Sequence, residues 1–256
     1  MAPSSESHST PLSPDISAEI AAPRHRPIRT FVRREGRLTA GQRHALDHLW
    51  SEFGLPCDDQ LLQPETLFGR VAPLILEIGY GNGESLLTMA QESPDCDYIG
   101  IEVHRPGVGH LLLQLQQEGL TNVRSFCGDG VEILQRQIPL GSLDRVQLFF
   151  PDPWHKKRHH KRRMVQKSWV ELVAARLKPG GLLHIATDWE PYARHISAVM
   201  SENPSFDNCA EESEYSPRPP WRPVTKFERR GERLGHEIYD LIYRKEDNPK
   251  IRSWTP

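Results

Sequence analysis

The sequence predicts an α/β protein: a Rossmann-like, mostly parallel sheet of seven strands, with helices on both faces and an antiparallel last strand. Three observations carry the prediction. Leu74–Ile78 (LILEI) is a short, almost wholly apolar run followed by glycines at 79, 81 and 83, the composition of a strand buried on both faces that turns sharply into a helix. Further short apolar runs alternate with helix-patterned stretches, as in right-handed strand-helix-strand units. Each of the first four strands carries or leads to an acid near its C-terminal end, Glu77, Glu102, Asp129 and Asp152, and that edge of a parallel sheet is where ligands bind.

Taken in order, Met1 to Pro27 is rich in Ser, Pro, Ala and His with almost no large apolar residue. That is too little to offset the entropy of ordering, and a disordered tail is expected. Ile28 to Leu38 sets Ile28, Phe31 and Val32 among arginines, an arm suited to backbone phosphates. Thr39 reads as the cap of a helix from Ala40 to about Phe53, with Leu46, Leu49, Trp50 and Phe53 at helical spacing. After the first strand come a helix from Glu84 to about Gln91, a strand Tyr98 to Ile101, a helix from about Pro106 to Glu118, and a strand Val123 to Cys127. Val146 to Phe150 is the fourth strand, stopped by a proline. A helix from Met164 to Leu177 ends at Lys178-Pro179-Gly180-Gly181, and Leu182 to Ala186 delivers Asp188 to the same edge. Pro191 to Met200 reads as a helix, Phe206 to Ala210 as a sixth strand, and His236 to Arg244 as the last, antiparallel at the sheet edge. Residues 28–248 then form one domain, with 249–256 a second tail.

Lys plus Arg is 32 and Asp plus Glu 34, a formal net charge of -2 that by itself argues against nucleic acid. The distribution argues for it. Arg24 to Arg43 holds seven Lys or Arg against one acid, Arg145 to Lys178 ten against two, and Arg218 to His236 six against two. These windows total +18, so the other 183 residues total -20. Solvated helix faces pointing apart would also give such windows, but a positive face on an acidic body is the footprint of phosphate contacts. The densest piece, Lys156 to Arg163, packs six Lys or Arg and two His into eight residues, and these repel one another until a polyanion lies across them. A loop that is mobile without RNA is expected there. Asp152, just before it, is stiffened between two φ-locked prolines.

Cysteines 57, 96, 127 and 209 show no CxxC spacing, and there is neither a signal-peptide core nor a run of 18 apolar residues. Free thiols in a reducing cytoplasm are expected, with no membrane partner. His44 and His48 lack a third ligand, and His155, His159 and His160 lie among cations, so no metal is expected.

The glycine loop reads Gly-x-Gly-x-Gly, with Glu84 where a pyrophosphate-binding loop has its last glycine. An acidic loop repels pyrophosphate. It suits a ligand with an amine and ribose hydroxyls but no phosphate, which describes S-adenosylmethionine. Glu102, 19 residues beyond Gly83, matches an acid placed to accept from ribose hydroxyls. Any one of the four acids could be a strand-end turn former; the series is what points to a ligand.

Several stretches are more specific: LEIGYGNG from Leu76, IGIEVHRPG from Ile99, GDG from Gly128, FFPDPWHKKRHHKRR from Phe149, LKPGG from Leu177, ATDW from Ala186 and TKFERRGERLGH from Thr225. Through them the chain, from about Ile28 to Arg244, resembles the bacterial tRNA (guanine-N7-)-methyltransferase family of the class I methyltransferase fold. The resemblance implies methyl transfer from S-adenosylmethionine to guanine N7 in the tRNA variable loop. It implies that Glu77, Glu102, Asp129 and Asp152 bind the cofactor beside Gly79, Gly81 and Gly83, that Asp152 is also catalytic, and that Lys156, Asp188, Thr225, Lys226, Phe227 and Glu228 contact the substrate. Oligomeric state is left open, a monomer being favoured.

The chemistry is compatible. Guanine N7 has an in-plane lone pair and no proton, so its attack on a sulfonium methyl needs no general base and catalysis is placement. Asp152 and Asp188 suit acceptance from guanine N1–H and N2–H, favouring the charge that develops on the ring. Lys156 suits a phosphate or O6. Trp154 and Trp189 are candidates for stacking a splayed base, with anchoring as the alternative. Two rivals stand beside this reading: an NAD-dependent dehydrogenase, which Glu102 permits and the glycine spacing opposes, and a non-catalytic RNA-binding module keeping a degenerate nucleotide pocket.

Overall fold

The computed structural model describes residues 36–211, 213–233, 235 and 237–247. Both expected tails and the basic arm before Gly36 lie outside these residues.

Thr39 caps α1 (Ala40–His48), its hydroxyl accepting the Gln42 amide at 3.2 Å while the Gln42 side chain accepts the Thr39 amide at 2.9 Å. The expected single helix breaks at Leu49 into α2 (Trp50–Phe53), and β1 (Gly54–Leu55) follows at once. Gly54 is needed there because a Cβ would stand 2.2 Å from the Trp50 ring. After α3 (Pro64–Phe68), strands and helices alternate: β2 (Leu74–Ile78), α4 (Glu84–Glu92), β3 (Asp97–Glu102), α5 (Arg105–Glu118), β4 (Val123–Cys127), α6 (Gly130–Arg136) and β5 (Leu143–Phe149). The chain continues through a 3₁₀ turn (Lys157–Arg162), α7 (Lys167–Arg176), β6 (Leu177–Thr187), α8 (Glu190–Ser201), β7 (Phe206–Asn208), α9 (Lys226–Arg233) and β8 (Tyr239–Lys245).

The strands form one sheet in the order β1-β4-β3-β2-β5-β6-β8-β7, parallel from β1 to β6, with β8 and β7 antiparallel to their neighbours. Eight strands form where seven are expected; the two-residue β1 carries no sequence pattern of its own. The last strand also departs from expectation, lying between β6 and β7 instead of at the edge. Asp240 to Tyr243 are all buried, as an interior strand requires, and the three-residue β7 takes the outside, where short strands resist edge pairing. Strand β6 starts at Leu177, opposite Leu143, so the expected helix stop and loop are already strand, with a register shift between Leu143 and Arg145.

Apolar layers cover both faces. On one, Ile133, Leu134, Trp169, Val170, Val173, Tyr192 and Ile196 from α6, α7 and α8 pack on the sheet. On the other, Ala45, Leu86, Met89, Leu111, Leu112 and Leu115 from α1, α4 and α5 do so. The order in which strands are added reverses across the parallel β2–β5 pair, the topological switch point where an open sheet leaves a crevice. Helix α5 begins tight against that crevice: a Cβ on Gly107 would stand 2.0 Å from the Gly81 carbonyl oxygen. Gly107→Ala is therefore expected to destabilise by about 1–3 kcal/mol, lowering Tm by about 2–4 °C for each kcal/mol. Thermal denaturation checks this, and an unchanged Tm would show the contact to be slack.

Candidate active site

Register carries the strand tips to one line. Ile78 pairs with both Ile101 and Leu148, and Glu102 with Cys127, so the C-terminal ends of β4, β3, β2 and β5 stand side by side. Over them opens a cleft of about 760 Å³, floored by Ile78, Ile101 and Leu148 and rimmed by Gly79, Gly81, Glu102, His104, Asp152 and Lys156. A volume of that size is ordinary for a cofactor-sized ligand.

Glu102 joins the glycine loop to β3. Its Oε2 accepts the Gly81 amide at 2.8 Å, and its Oε1 accepts the amides of Val103 at 2.6 Å and His104 at 2.8 Å. Gly79 and Gly81 hold φ of 75° and 63°, with open space where a Cβ would stand. Gly83, at φ 82°, faces Leu111 of α5 instead of the cleft. Asp129 caps α6, accepting the Val131 amide at 2.9 Å, and its neighbours Gly128 and Gly130 line the cleft.

Glu77 lies beneath the loop, 2 % exposed. Its Oε1 accepts from the Ser85 hydroxyl at 2.8 Å, while Oε2 is buried with no partner among the described residues. Burial pushes its pKa up to about 7, opposed by the Ser85 bond and assisted by the charge of Glu102.

Asp152 is exposed at the cleft lip, between two residues of left-handed backbone, Phe150 at φ 50° and Trp154 at φ 48°. Non-glycine residues rarely adopt that region, and such strain collects at functional sites. Beyond it, Lys157–Arg162 of the basic stretch form the 3₁₀ turn. Lys156, Lys157, Arg158 and Lys161 are exposed, but Arg163 is not a phosphate contact. It is buried, its Nε donating to the Pro153 carbonyl at 2.9 Å and its guanidinium 4.9 Å from the Tyr192 ring. Arg162 covers the Trp154 ring at 4.4 Å, and Trp189 meets His155 edge-on at 4.5 Å.

Asp188 follows the tip of β6, but neither it nor Thr225 nor Glu228 is among the described residues that line the cleft, and Glu228 lines a separate cavity with Arg222 and Asp240. A Cβ on Gly231 of α9 would sit 3.6 Å from Asp188 Oδ2. The side chains of Lys226 and Phe227 lie outside the described residues. Thr225 and Glu228 make a capping box for α9: the Thr225 hydroxyl accepts the Glu228 amide at 3.1 Å, and Glu228 Oε2 faces the Thr225 amide at 3.4 Å. Glu228 is buried on Arg222, so the structure turns it inward to that guanidinium. Sequence reasoning missed Arg222 and also left out His104 and His159, which line the cleft. Proximity to Glu102 was the signal for His104; Arg222 had none, since nothing in the sequence ties it to Glu228, 6 residues on, or to Asp240, 18 residues on.

The residues present fit a ligand with a cationic amine, hydroxyls and a flat apolar part. Glu77 offers an unpartnered buried oxygen, Glu102 and Asp152 offer acceptors at the rim, and Phe149, Phe150 and Met164 offer apolar wall. Sheet order and cleft together define a class I methyltransferase. Residues 71–241 match a family described as "Putative methyltransferase". The chain is 63 % identical over 220 residues to the tRNA (guanine-N(7)-)-methyltransferase of Alcanivorax borkumensis, covering 86 % of this chain and 92 % of that one. It is 54 % identical to that of Escherichia coli K12, with the same coverage. The 16S rRNA methyltransferase KamB aligns with 71 % of this chain and 92 % of its own at a TM-score of 0.52 and 14 % identity, a likeness of fold alone. The chain belongs to the tRNA (guanine-N(7)-)-methyltransferase family.

Glu77 makes stability depend on pH. Unfolded, it ionises near 4.5; folded, it keeps its proton to about 7. The native state therefore binds more protons between those values, and stability falls as pH rises through them, on the order of a few kcal/mol. Denaturant unfolding of the ligand-free protein from pH 4.5 to 7 is expected to show this fall, flattened in Glu77→Gln; equal slopes would mean Glu77 is already ionised when folded.

Proposed function

We propose that the chain methylates guanine N7 in tRNA, with S-adenosylmethionine as donor. The observation that carries the reading is the position of Asp152, between the acid-rimmed cleft and the exposed cations of the 3₁₀ turn. When bound, S-adenosylmethionine supplies a methyl group activated by a sulfonium charge. Ionised Glu77 balances the amine of the ligand, and Glu102, already oriented by three amides, keeps acceptor capacity for ribose hydroxyls. Asp152 accepts from the N–H edge of guanine, which leaves N7 directed inward, and Asp188 assists from the β6 tip. No residue removes a proton during transfer, since N7 carries none. The carboxylates favour the positive charge that develops on the ring, and the apolar wall keeps water from competing.

Lys156 and its exposed neighbours hold the phosphates. Asp152→Ala is expected to lower turnover by about 10² or more with tRNA affinity nearly unchanged. Mass mapping of the nucleosides after incubation with unmodified tRNA reads both rate and position; wild-type turnover would remove Asp152 from the mechanism. Changing Lys156, Lys157, Arg158 and Lys161 to Ala is expected to flatten the log-log salt dependence of tRNA binding by about 3 to 4. An unchanged slope would place the RNA elsewhere.

A further inference from the structure

Helix α9 should not stay where it is on its own sequence. KFERRGER contains one apolar side chain, Phe227, so there is no stripe to bury, and eight residues are too few for a helix to persist in water unaided. What holds it is a buried fork. Arg222, fully buried, gives Nη1 to Glu228 Oε2 at 2.5 Å and Nη2 to Glu228 Oε1 at 3.2 Å. The other edge of the same guanidinium grips β8, with Nε to Asp240 Oδ1 at 2.7 Å and Nη2 to Asp240 Oδ2 at 2.8 Å.

His184 Nε2 lies 2.7 Å from Asp240 Oδ1. Burial holds His184 below its ordinary pKa, whereas Asp240, despite burial, is kept below the carboxylate range by His184 and Arg222. The imidazole is thus neutral and its Nε2–H donates. On the cleft side the guanidinium carbon is 6.0 Å from the ring centre of Phe149, a wall of the cleft, and His184 meets that ring edge-on at 4.9 Å. One side chain therefore links α9, β8 and the cleft wall.

The consequence lies on the outer face of α9. With the Glu228 charge satisfied inside, Arg229 and Arg233 are exposed one turn apart and share a face, and the inner side of the helix rests against Asp188 at Gly231. We propose that the outer face of α9, beyond the Thr225 to Glu228 segment that the resemblance already gives to the substrate, contacts the RNA backbone separately from the 3₁₀ turn, with Arg229 and Arg233 meeting phosphates. Arg222 is its positioning residue, fixing the helix and keeping Asp188 in line with the cleft. The proposal rests on the function proposed above and extends it to a second surface. Lysine at 222 keeps the charge but has no fork, so it cannot span Glu228 and Asp240 together.

The test compares Arg222→Lys with the double variant Arg229→Ala/Arg233→Ala, which leaves the buried cluster intact, in the full-length protein. Both are expected to reduce the salt slope of tRNA binding by about 1 to 2 and to raise KM for tRNA about tenfold, while S-adenosylmethionine affinity stays at the wild-type value. Measurements are made well below each variant's Tm, so that lost stability does not mimic lost contact. A double variant with wild-type slope and KM overturns the RNA contact. If instead Arg222→Lys behaves as wild type while the double variant does not, the positioning role falls. Wild-type protein that fails to methylate tRNA in the same assay defeats the earlier function, whatever the variants do.

Discussion

Three backbone amides converge on one carboxylate, and the site depends on that convergence. Glu102 takes N–H groups from Gly81 on one side and from Val103 and His104 on the other. A strand end and a glycine loop that share no ladder at that point are thereby tied to the same two oxygens. Without the carboxylate, these half-buried amides would lose their partners, at a cost of up to about 1–3 kcal/mol each, leaving the Gly79 amide on the Ile101 carbonyl at 2.8 Å to tie the loop to β3. Helix α5 completes the constraint, since its Gly107 allows the Gly81 carbonyl to approach closer than any side chain would. Loop, strand and helix thus fix one another, and Gly79 and Gly81 are then set at the cleft.

Two buried charged groups near this frame differ in how far they are satisfied, and the difference separates binding from scaffolding. Arg222 has both edges of its guanidinium occupied by Glu228 and Asp240. A buried ion group with its hydrogen bonds made is a fixed part of the structure, though removing one partner would be costly. Glu77 has one oxygen on Ser85 and the other without a partner. Burial raises its pKa to about 7, so near neutral pH it is only partly ionised and a nearby cation would favour the charged form, a poor arrangement for a scaffold and a suitable one for a ligand's amine.

The cleft was legible because its signals are local. A glycine loop after an apolar run, and acids at the ends of short strands, are read within a few residues, and the parallel order follows from strand-helix alternation. What failed to show depends on distant partners. The inward turn of Glu228 needs Arg222, and Arg222 needs Asp240, 18 residues on, against which its stretch of chain is set by the Ser216–Asp240 bridge. Thr225-x-x-Glu228 folds as a capping box, a role the resemblance to a substrate-contacting segment does not convey. Arg163 shows the limit of charge counting: in a run of cations nothing marks the one whose guanidinium will lie on Tyr192. The interior place of β8 was hidden for a similar reason, since alternation cannot say which of two terminal strands lies outside.

The same residues explain how a strained loop is kept strained. Phe150 and Trp154 hold left-handed backbone on either side of Pro151-Asp152-Pro153, and each would relax if one end of the loop were free. Neither end is. The Phe150 amide donates to Ala186 of β6 at 2.8 Å, extending the sheet into the loop. At the far end Arg163 takes the Pro153 carbonyl and Arg162 lies over Trp154. The last two cations of the basic stretch therefore fasten the Asp152 loop, while the exposed ones before them face solvent. The turn is thus mechanically joined to the carboxylate beside the cleft, so that displacing one displaces the other.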